Sequence, residues 1–488
     1  MSTVVARPAA TSRPTSLTGA WPALLGLSLV FLVEMLDNTL LNVALPTIAR
    51  DLHADATDLQ WIVAGYSLAL AGLMLLFGSL ADRYGRRRVM LVGLGLFALA
   101  SVAVAAVRTP GELIGVRVLI GVAAAMTAPG TMALSYRLFD DDALRVRASA
   151  LISSVGMVGL AAGPVLGGLA LDAVPWQVLL LVNVPVALVA GLGVRFGIPR
   201  DEPEGLHRVP LDILGAALGT ATVVLALWTP TLAVQHGWTD AAPLAVGALA
   251  CGAAFVVRQR RATHPLLDFS LLRRGQVAVG LTHQAALALA LAGLGYTVTL
   301  QLQLAWGWSP AHAALGGLPQ VLTMIAAAPL VGWVTQRLGL RRAGLAGAVA
   351  VLVGLVLYAV LARHGYLWIA AVMVLTAAGM RVVMTTSTIS VLRGLPSDRT
   401  SIGAALSDTG QELGSSIGTA LVGTVLAATL TGPLTGASWT PARTDSFQHA
   451  VTHATLALAA VAALLIAWTT TRSTPPNTAP PGPHPARP

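Results

Sequence analysis

Fourteen stretches of this chain stay apolar for the length a helix needs to cross a bilayer, about 17–25 residues. They fall near 21–45, 58–80, 87–107, 112–136, 147–171, 176–197, 211–232, 241–258, 276–303, 311–336, 341–362, 366–391, 402–430 and 449–471. Hydrocarbon offers no partner to a free backbone N–H or C=O, so runs of this length read as helices that satisfy themselves. Of the 488 residues, 55% are hydrophobic and only 10% charged. A soluble domain carries roughly 25% charged residues, so this chain lacks the polar surface to stay in water. Its 49 glycines are spread along the apolar runs, where they let helices approach closely. The fold class that follows is an all-α integral membrane protein with 14 transmembrane helices.

The formal charge is +9, and all 30 basic residues are arginine. Such a balance also suits nucleic-acid binding, but here the arginines sit in short loops between apolar runs. With the N-terminus inside, twenty-four fall on one face, and only Arg50, Arg108, Arg363 and Arg443 fall on the other. The positive-inside rule then puts both termini in the cytoplasm and asks for an even number of spans in the cell membrane. Arg117 and Arg381 lie inside spans and need another account. Cys251 is the single cysteine, which excludes an intrachain disulfide or a cysteine-based metal cluster. The first apolar run follows about twenty polar or small residues and is long enough to span, unlike a cleavable signal.

An internal repeat organises the spans. "GSLADRYGRRR" begins at Gly78 after the second, and "GWVTQRLGLRR" begins at Gly332 after the tenth. They agree at Gly78/Gly332, Arg83/Arg337, Gly85/Gly339, Arg87/Arg341 and Arg88/Arg342. The expected organisation is a cytoplasmic tail over 1–20, a six-helix bundle over 21–197 and a linker with two extra spans over 198–274. A second six-helix bundle follows over 275–471, then a disordered, proline-rich tail over 472–488. Two related bundles around a central cavity form the architecture of an alternating-access transporter.

The sharpest chemical signal is charge inside the spans. Glu34 and Asp37 are three residues apart in "FLVEMLDNTLLNVALP", and Asp408 and Glu412 are four apart in "SDTGQELGSSIGTA". Each pair shares one helix face. Carrying one ionised side chain into hydrocarbon costs about 2.5–3.5 kcal/mol even on the lenient insertion scales. The four acids, Arg117 and Arg381 must therefore pair together or line a cavity that water reaches. Three readings stand: structural ion pairs with the two arginines, groups that bind a cationic substrate, and proton carriers. The last two are compatible, because a proton and a cation competing for one carboxylate exchange by mutual exclusion. Asn38, Asn42 and Gln411 extend these polar strips, while Tyr66, Met126 and Gln284 offer contacts to an amphipathic ligand or pack the bundles. Trp306 and Trp308 read as interfacial belt residues.

These stretches together carry a family resemblance. "GSLADRYGRRR" resembles the loop signature of the major facilitator superfamily, and "GVRVLIGVAAAMTAPG" (115–130) resembles its fourth-helix motif, with Arg117 as the key base. "GLAAGPVLGGLA" (159–170) is similar to the fifth-helix antiporter motif. "LDNTLLNVALP" and "WQVLLLVNVPVA" look like the first- and sixth-helix signatures of the fourteen-helix drug:proton antiporters of the EmrB/QacA type. The resemblance runs from about residue 20 to 470. It implies that Gly78, Asp82, Arg83, Gly85, Arg86 and Arg87 form a latch between the bundles in the outward-open state. It also implies that Gly159, Gly163, Pro164, Gly167 and Gly168 keep the closed bundle tight against proton leak. Gln336 replaces Asp82 in the second copy, so the latch is asymmetric.

The expected function is proton-coupled export of amphipathic, cationic or neutral drugs or natural products, by a monomer that needs no cofactor beyond the proton gradient. Asp37, Glu34, Arg117, Asp408 and Glu412 are the expected coupling groups. Asn38, Asn42, Tyr66, Met126, Gln284, Arg381 and Gln411 are the expected substrate contacts, with no metal. A proton-coupled importer or facilitator of a small metabolite would share the fold and stands as the alternative. No phosphate loop, "HExxH" or "GxSxG" is present, so the sequence offers no enzyme motif.

Overall fold

In a computed structural model, residues 14–201, 212–263, 265–267, 269–272, 274–395, 400–430 and 440–472 are described. Residues 1–13 of the expected N-terminal tail and the proline-rich tail from 473 lie outside them. The first half runs α1 (Trp21–Asp51), α2 (Ala56–Tyr84), α3 (Arg86–Ala103), α4 (Pro110–Leu138), α5 (Asp142–Leu171), α6 (Trp176–Leu181) and α7 (Asn183–Gly197). A hairpin of α8 (Ile213–His236) and α9 (Trp238–Arg261) follows, then the short α10 (Phe269–Leu272). The second half comprises α11 (Gly275–Leu300), α12 (Pro310–Gly316), α13 (Leu318–Ala326), α14 (Ala328–Leu361), α15 (Tyr366–Gly394), α16 (Thr400–Thr429) and α17 (Pro441–Arg472). No strand occurs among the described residues.

Local sequence explains where these helices start, stop and break. Asp55 and Thr109 each accept from the backbone three residues on, while Asp58 and Glu112 return the bond, closing capping boxes on α2 and α4. Pro185 has no N–H to give and crowds the carbonyl of Leu181, and the sixth apolar run breaks there into α6 and α7. Pro319 and Pro329 do the same to the tenth run, which becomes α12, α13 and the start of α14. The two glycines aligned by the repeat behave alike: Gly85 has φ 102° and Gly339 has φ 74°. Only glycine enters that region without strain, and at Gly339 the continuous α14 changes direction.

Twelve helices are long and apolar enough to cross a membrane among the described residues, against the fourteen expected. The difference lies in two places. The tenth and eleventh runs share one helix across the Gly339 break, and α16 carries Asp408 and Glu412.

α1 packs on α5 and α7, and α2 and α3 pack on α4, which makes one bundle. α11 packs on α15, α16 and α17, and α14 on α15 and α17, which makes the other. The bundles meet along two seams: α2 against α16, which α8 also touches, and α5 against α12. A hydrophobic core crosses between them, and its first-half members are Leu40 to Val63, Val104, Val107, Leu113 and Trp176 to Leu180. All of these lie toward the end of the molecule that carries few arginines. Toward the arginine-rich end the cores stay inside one bundle, around Met90, Phe97 and Leu134 in the first and Val277 and Val391 in the second.

Candidate functional site

Between the bundles lies a cavity of about 410 Å³, within the roughly 300–1,000 Å³ of typical small-molecule sites. Its polar wall includes Asn38 and Asn42 of α1, Ser67 of α2, Gln303, and Gln411 and Glu412 of α16. Met35, Met157, Met324 and Met373 supply flexible apolar wall. Pro164 of α5 also lies in the wall.

Behind that wall the first bundle holds a buried charge cluster. Asp37 and Arg117 are completely buried and form an ion pair, Arg117 Nη1 to Asp37 Oδ2. Asn183 Nδ2 donates to the other Asp37 oxygen at 2.8 Å. The guanidinium also reaches Ile62 O through Nε at 3.3 Å and sits 4.6 Å from the centre of the Tyr66 ring. Charge, two carboxylate oxygens and a π face are thus satisfied together, which a buried pair requires. Arg117 Nη2 remains without a hydrogen-bond partner.

Glu34, one turn earlier on α1, accepts from Thr127 Oγ1 at 2.7 Å and lies within electrostatic reach of Glu412 and Asp408. Glu412 and Ser67 line the cavity together across the α2–α16 seam, and Glu412 Oε2 is buried with no hydrogen-bond partner. Asp408, one turn away, is exposed. Glu34 and Glu412 therefore approach the bundle interface from opposite sides, while Asp37 stays inside the first bundle.

Of the expected substrate contacts, Asn38, Asn42 and Gln411 line the cavity. Tyr66 lies under Arg117, Met126 packs with Ala81 and Val89 inside the first bundle, and Gln284 donates to Thr388 Oγ1 at 3.2 Å. Arg381 keeps a buried Nε without a partner, and no acid is paired with it among the described residues. Neither Glu34 nor Asp37 is part of the wall: Thr127 holds Glu34, and Arg117 and Asn183 hold Asp37, inside the first bundle. Sequence reading gave no role to Asn183, Thr127 or Ser67. A lone amide in "LLLVNVPVA" was the available signal for the first of these.

The loop motif is bound within its own bundle. Asp82 pairs with Arg86 at 2.8 Å, the Arg87 N–H donates to Asp201 Oδ2 at 3.1 Å, and Arg137 Nη1 lies 3.6 Å from Asp201 Oδ1. Arg83 lies over the Tyr84 ring at 5.6 Å, and a side chain at Gly85 would strike Asp201. Gly78 is roomier, its nearest neighbour being Pro129. The glycines of α5 face two ways. A methyl at Gly159, Gly163 or Gly167 would press on Leu32, Thr39 or Leu40 of α1, whereas one at Gly168 would come within 2.6 Å of the Pro310 carbonyl in the other bundle.

The comparisons agree with this architecture. The family model for the Major Facilitator Superfamily matches residues 27–307. The chain is 34% identical to the multidrug efflux pump LfrA of Mycolicibacterium smegmatis over 86% of this chain and 83% of that one. It is 30% identical to the tetracenomycin C resistance and export protein of Streptomyces glaucescens, over 82% and 74%. Against the methyl viologen resistance protein SmvA of Salmonella typhimurium it is 30% identical over 82% and 81%. In fold it resembles the POT family transporter PepTSo, with TM-score 0.66 at 15% identity over 94% of this chain and 100% of that one. A two-bundle helical fold with charge buried inside it, matched by these relatives over most of its length, settles the assignment: the chain belongs to the major facilitator superfamily.

Proposed function

We propose that this chain exports small amphipathic compounds, cationic or neutral, across the cytoplasmic membrane in exchange for protons. The observation that carries this reading is Glu412: a carboxyl in the wall of the inter-bundle cavity with one oxygen left without a hydrogen bond. Such a group can hold either a proton or a cationic cargo. The mostly apolar wall around it suits a lipophilic body, and three relatives are named for efflux, export or resistance. No cofactor enters this scheme beyond the proton gradient, and one monomer contains the whole site.

Membrane topology completes the reading. Counting α12, α13 and the start of α14 up to Gly339 as one crossing, the rest of α14 as the next, and adding α16, gives fourteen crossings with both termini in the cytoplasm. The arginine-rich end is then cytoplasmic, and the described conformation is closed at the outer end and parted at the inner one. Cargo enters from the cytoplasmic side or inner leaflet while Glu412 is ionised. The bundles rock, an outside proton loads Glu412, cargo leaves, and the protonated carrier resets. The loop motif, bound to Asp201 within its own bundle here, is free to latch the bundles in the opposite state. Asp37 and Arg117 hold α1, α4 and α7 in register and keep charge beside Glu34.

Inverted vesicles with an acidic interior test this. Added tetraphenylphosphonium should release protons from vesicles carrying the native chain, and Glu412→Gln should abolish that release. Release that persists unchanged in Glu412→Gln would overturn the role of Glu412. A native chain silent to both tetraphenylphosphonium and neutral lipophilic compounds would overturn coupled export.

A further inference from the structure

α8 lies lengthwise along α2. Gln235 Nε2 donates to Thr57 Oγ1 at 2.8 Å, and Gln60 Nε2 donates to Thr231 Oγ1 at 3.2 Å. Trp228 meets Trp61 edge-on with ring centres 6.0 Å apart. At Gly72 the helices are so close that a methyl would lie 2.5 Å from Thr220 Oγ1. These contacts run from near the arginine-poor end of α2 past its middle. α9 is tied to α8 in turn: Gly219 and Gly252 give close packing to Phe255 and Thr222, and Asp212 accepts from Arg258 at 2.9 Å and Gln259 at 2.7 Å.

Toward the second bundle the described hydrogen bond of α8 is a single one, Thr231 Oγ1 with Thr424 Oγ1 of α16 at 3.0 Å. It sits beside a close approach of α2 and α16: a methyl at Gly423 would lie 2.5 Å from Gln60. Gln60 and Thr231 are fully buried. Side chains from α2, α8 and α16 thus form one polar chain across the seam.

We propose that the α8–α9 hairpin is a fixed part of the first bundle's moving body, and that Thr424 docks on it reversibly each time the arginine-poor end closes. The asymmetry of the contacts carries this. Detaching α8 from α2 would break the fully buried Gln60–Thr231 bond and the exposed Gln235–Thr57 bond and would part the Trp61–Trp228 pair, and the buried break is costly away from water. Detaching α16 from α8 breaks one hydroxyl–hydroxyl bond, and Thr231 keeps its bond from Gln60. The hairpin then covers the α2–α16 seam as a rail along which α16 makes and breaks contact. This rests on the alternating-access reading above.

Cys251 is the single cysteine, so Cys251→Ser gives a cysteine-free background. Two pairs are compared in vesicles under copper phenanthroline: Gly72→Cys with Thr220→Cys, and Thr231→Cys with Thr424→Cys. The first disulfide should leave tetraphenylphosphonium-driven proton release unchanged. The second should abolish it, and dithiothreitol should restore it. Arrest by the first, or normal release with the second, overturns the proposal.

Spin labels give a reading that does not depend on transport. Leu99 on α3, Val234 on α8 and Leu367 on α15 are exposed and are labelled in pairs after replacement by cysteine. If the Leu99–Leu367 distance takes two values, the proposal requires Val234 to keep one distance to Leu99 and two to Leu367. The reverse pattern overturns it while leaving alternating access intact. A single Leu99–Leu367 distance overturns alternating access itself and the proposal with it.

Discussion

At the scale of single residues, the Asp37–Arg117 pair shows what a buried charge demands. Asp37→Asn leaves a completely buried guanidinium without its counter-charge, and breaking a buried pair from one side costs about 3–5 kcal/mol. The expected outcome is a clear loss of thermal stability in detergent, with part of it recovered in Asp37→Asn/Arg117→Gln, where no lone charge remains. A second contrast is between the two repeat glycines. Both Gly85→Ala and Gly339→Ala impose a left-handed backbone costing about 1–2 kcal/mol. Gly85→Ala additionally drives its methyl to 2.4 Å from Asp201 Oδ2, while Gly339 has nothing within 4 Å. Thermal melting should rank Gly85→Ala as the more damaging.

The residues legible in sequence were those whose charge was out of place. Asp37, Glu34, Arg117, Asp408 and Glu412 each stood in a hydrocarbon-length run. Asn183, Thr127 and Ser67 were not legible, since a small polar group in a span costs little and shows its partner only when another helix is laid beside it. Arg381 looked equivalent to Arg117, yet the structure pairs only the latter with an acid among the described residues.

At the scale of elements, the apolar runs located the helices, and proline explains where the structure subdivides them. What sequence could not give was which helix each glycine touches: Gly159 and Gly168 look alike in "GLAAGPVLGGLA", yet one meets α1 and the other α12. Gly168→Val should therefore wedge the α5–α12 seam and favour opening at the arginine-poor end. Labelling of Asn42→Cys by a membrane-impermeant maleimide from the outside should rise accordingly. The base of the hairpin supplies a pH prediction. Burial pushes the Asp212 carboxyl up, but bonds from the Gly215 N–H, Arg258 and Gln259 outweigh it and hold the group below its usual value. A carboxyl depressed on folding stabilises above its unfolded pKa of about 3.9 and loses that contribution as pH falls through the lower folded value. Acid unfolding of the native hairpin should thus shift toward neutral pH in Asp212→Asn only by losing a benefit present above pH ~4. Limited proteolysis of the α9–α10 connection across pH 3–7 reads this directly.

At the scale of the whole molecule, the repeat and the buried charges make a two-bundle transporter readable from the sequence. The side to which the bundles part was not readable, because it depends on cores formed between distant segments such as Leu45 and Leu302. The cavity wall was half readable: Asn38, Asn42 and Gln411 were expected, whereas the four methionines and Gln303 reach it through the way the helices cross.

Glu412 is the one acid in that wall among the described residues, and this has an electrical consequence. On the proposed exchange, a carboxylate that carries either one proton or one singly charged cargo moves equal charge in both directions. Export of a monovalent cation is then electroneutral, runs on the pH difference alone and ignores membrane voltage. A neutral cargo exchanged for the same proton carries net charge inward and draws about 2.3 kcal/mol more at 100 mV. Clamping the voltage with potassium and valinomycin should leave cation export untouched and change the accumulation ratio of a neutral compound by several tens-fold. The valence of the cargo, rather than its shape, would select which part of the proton-motive force does the work.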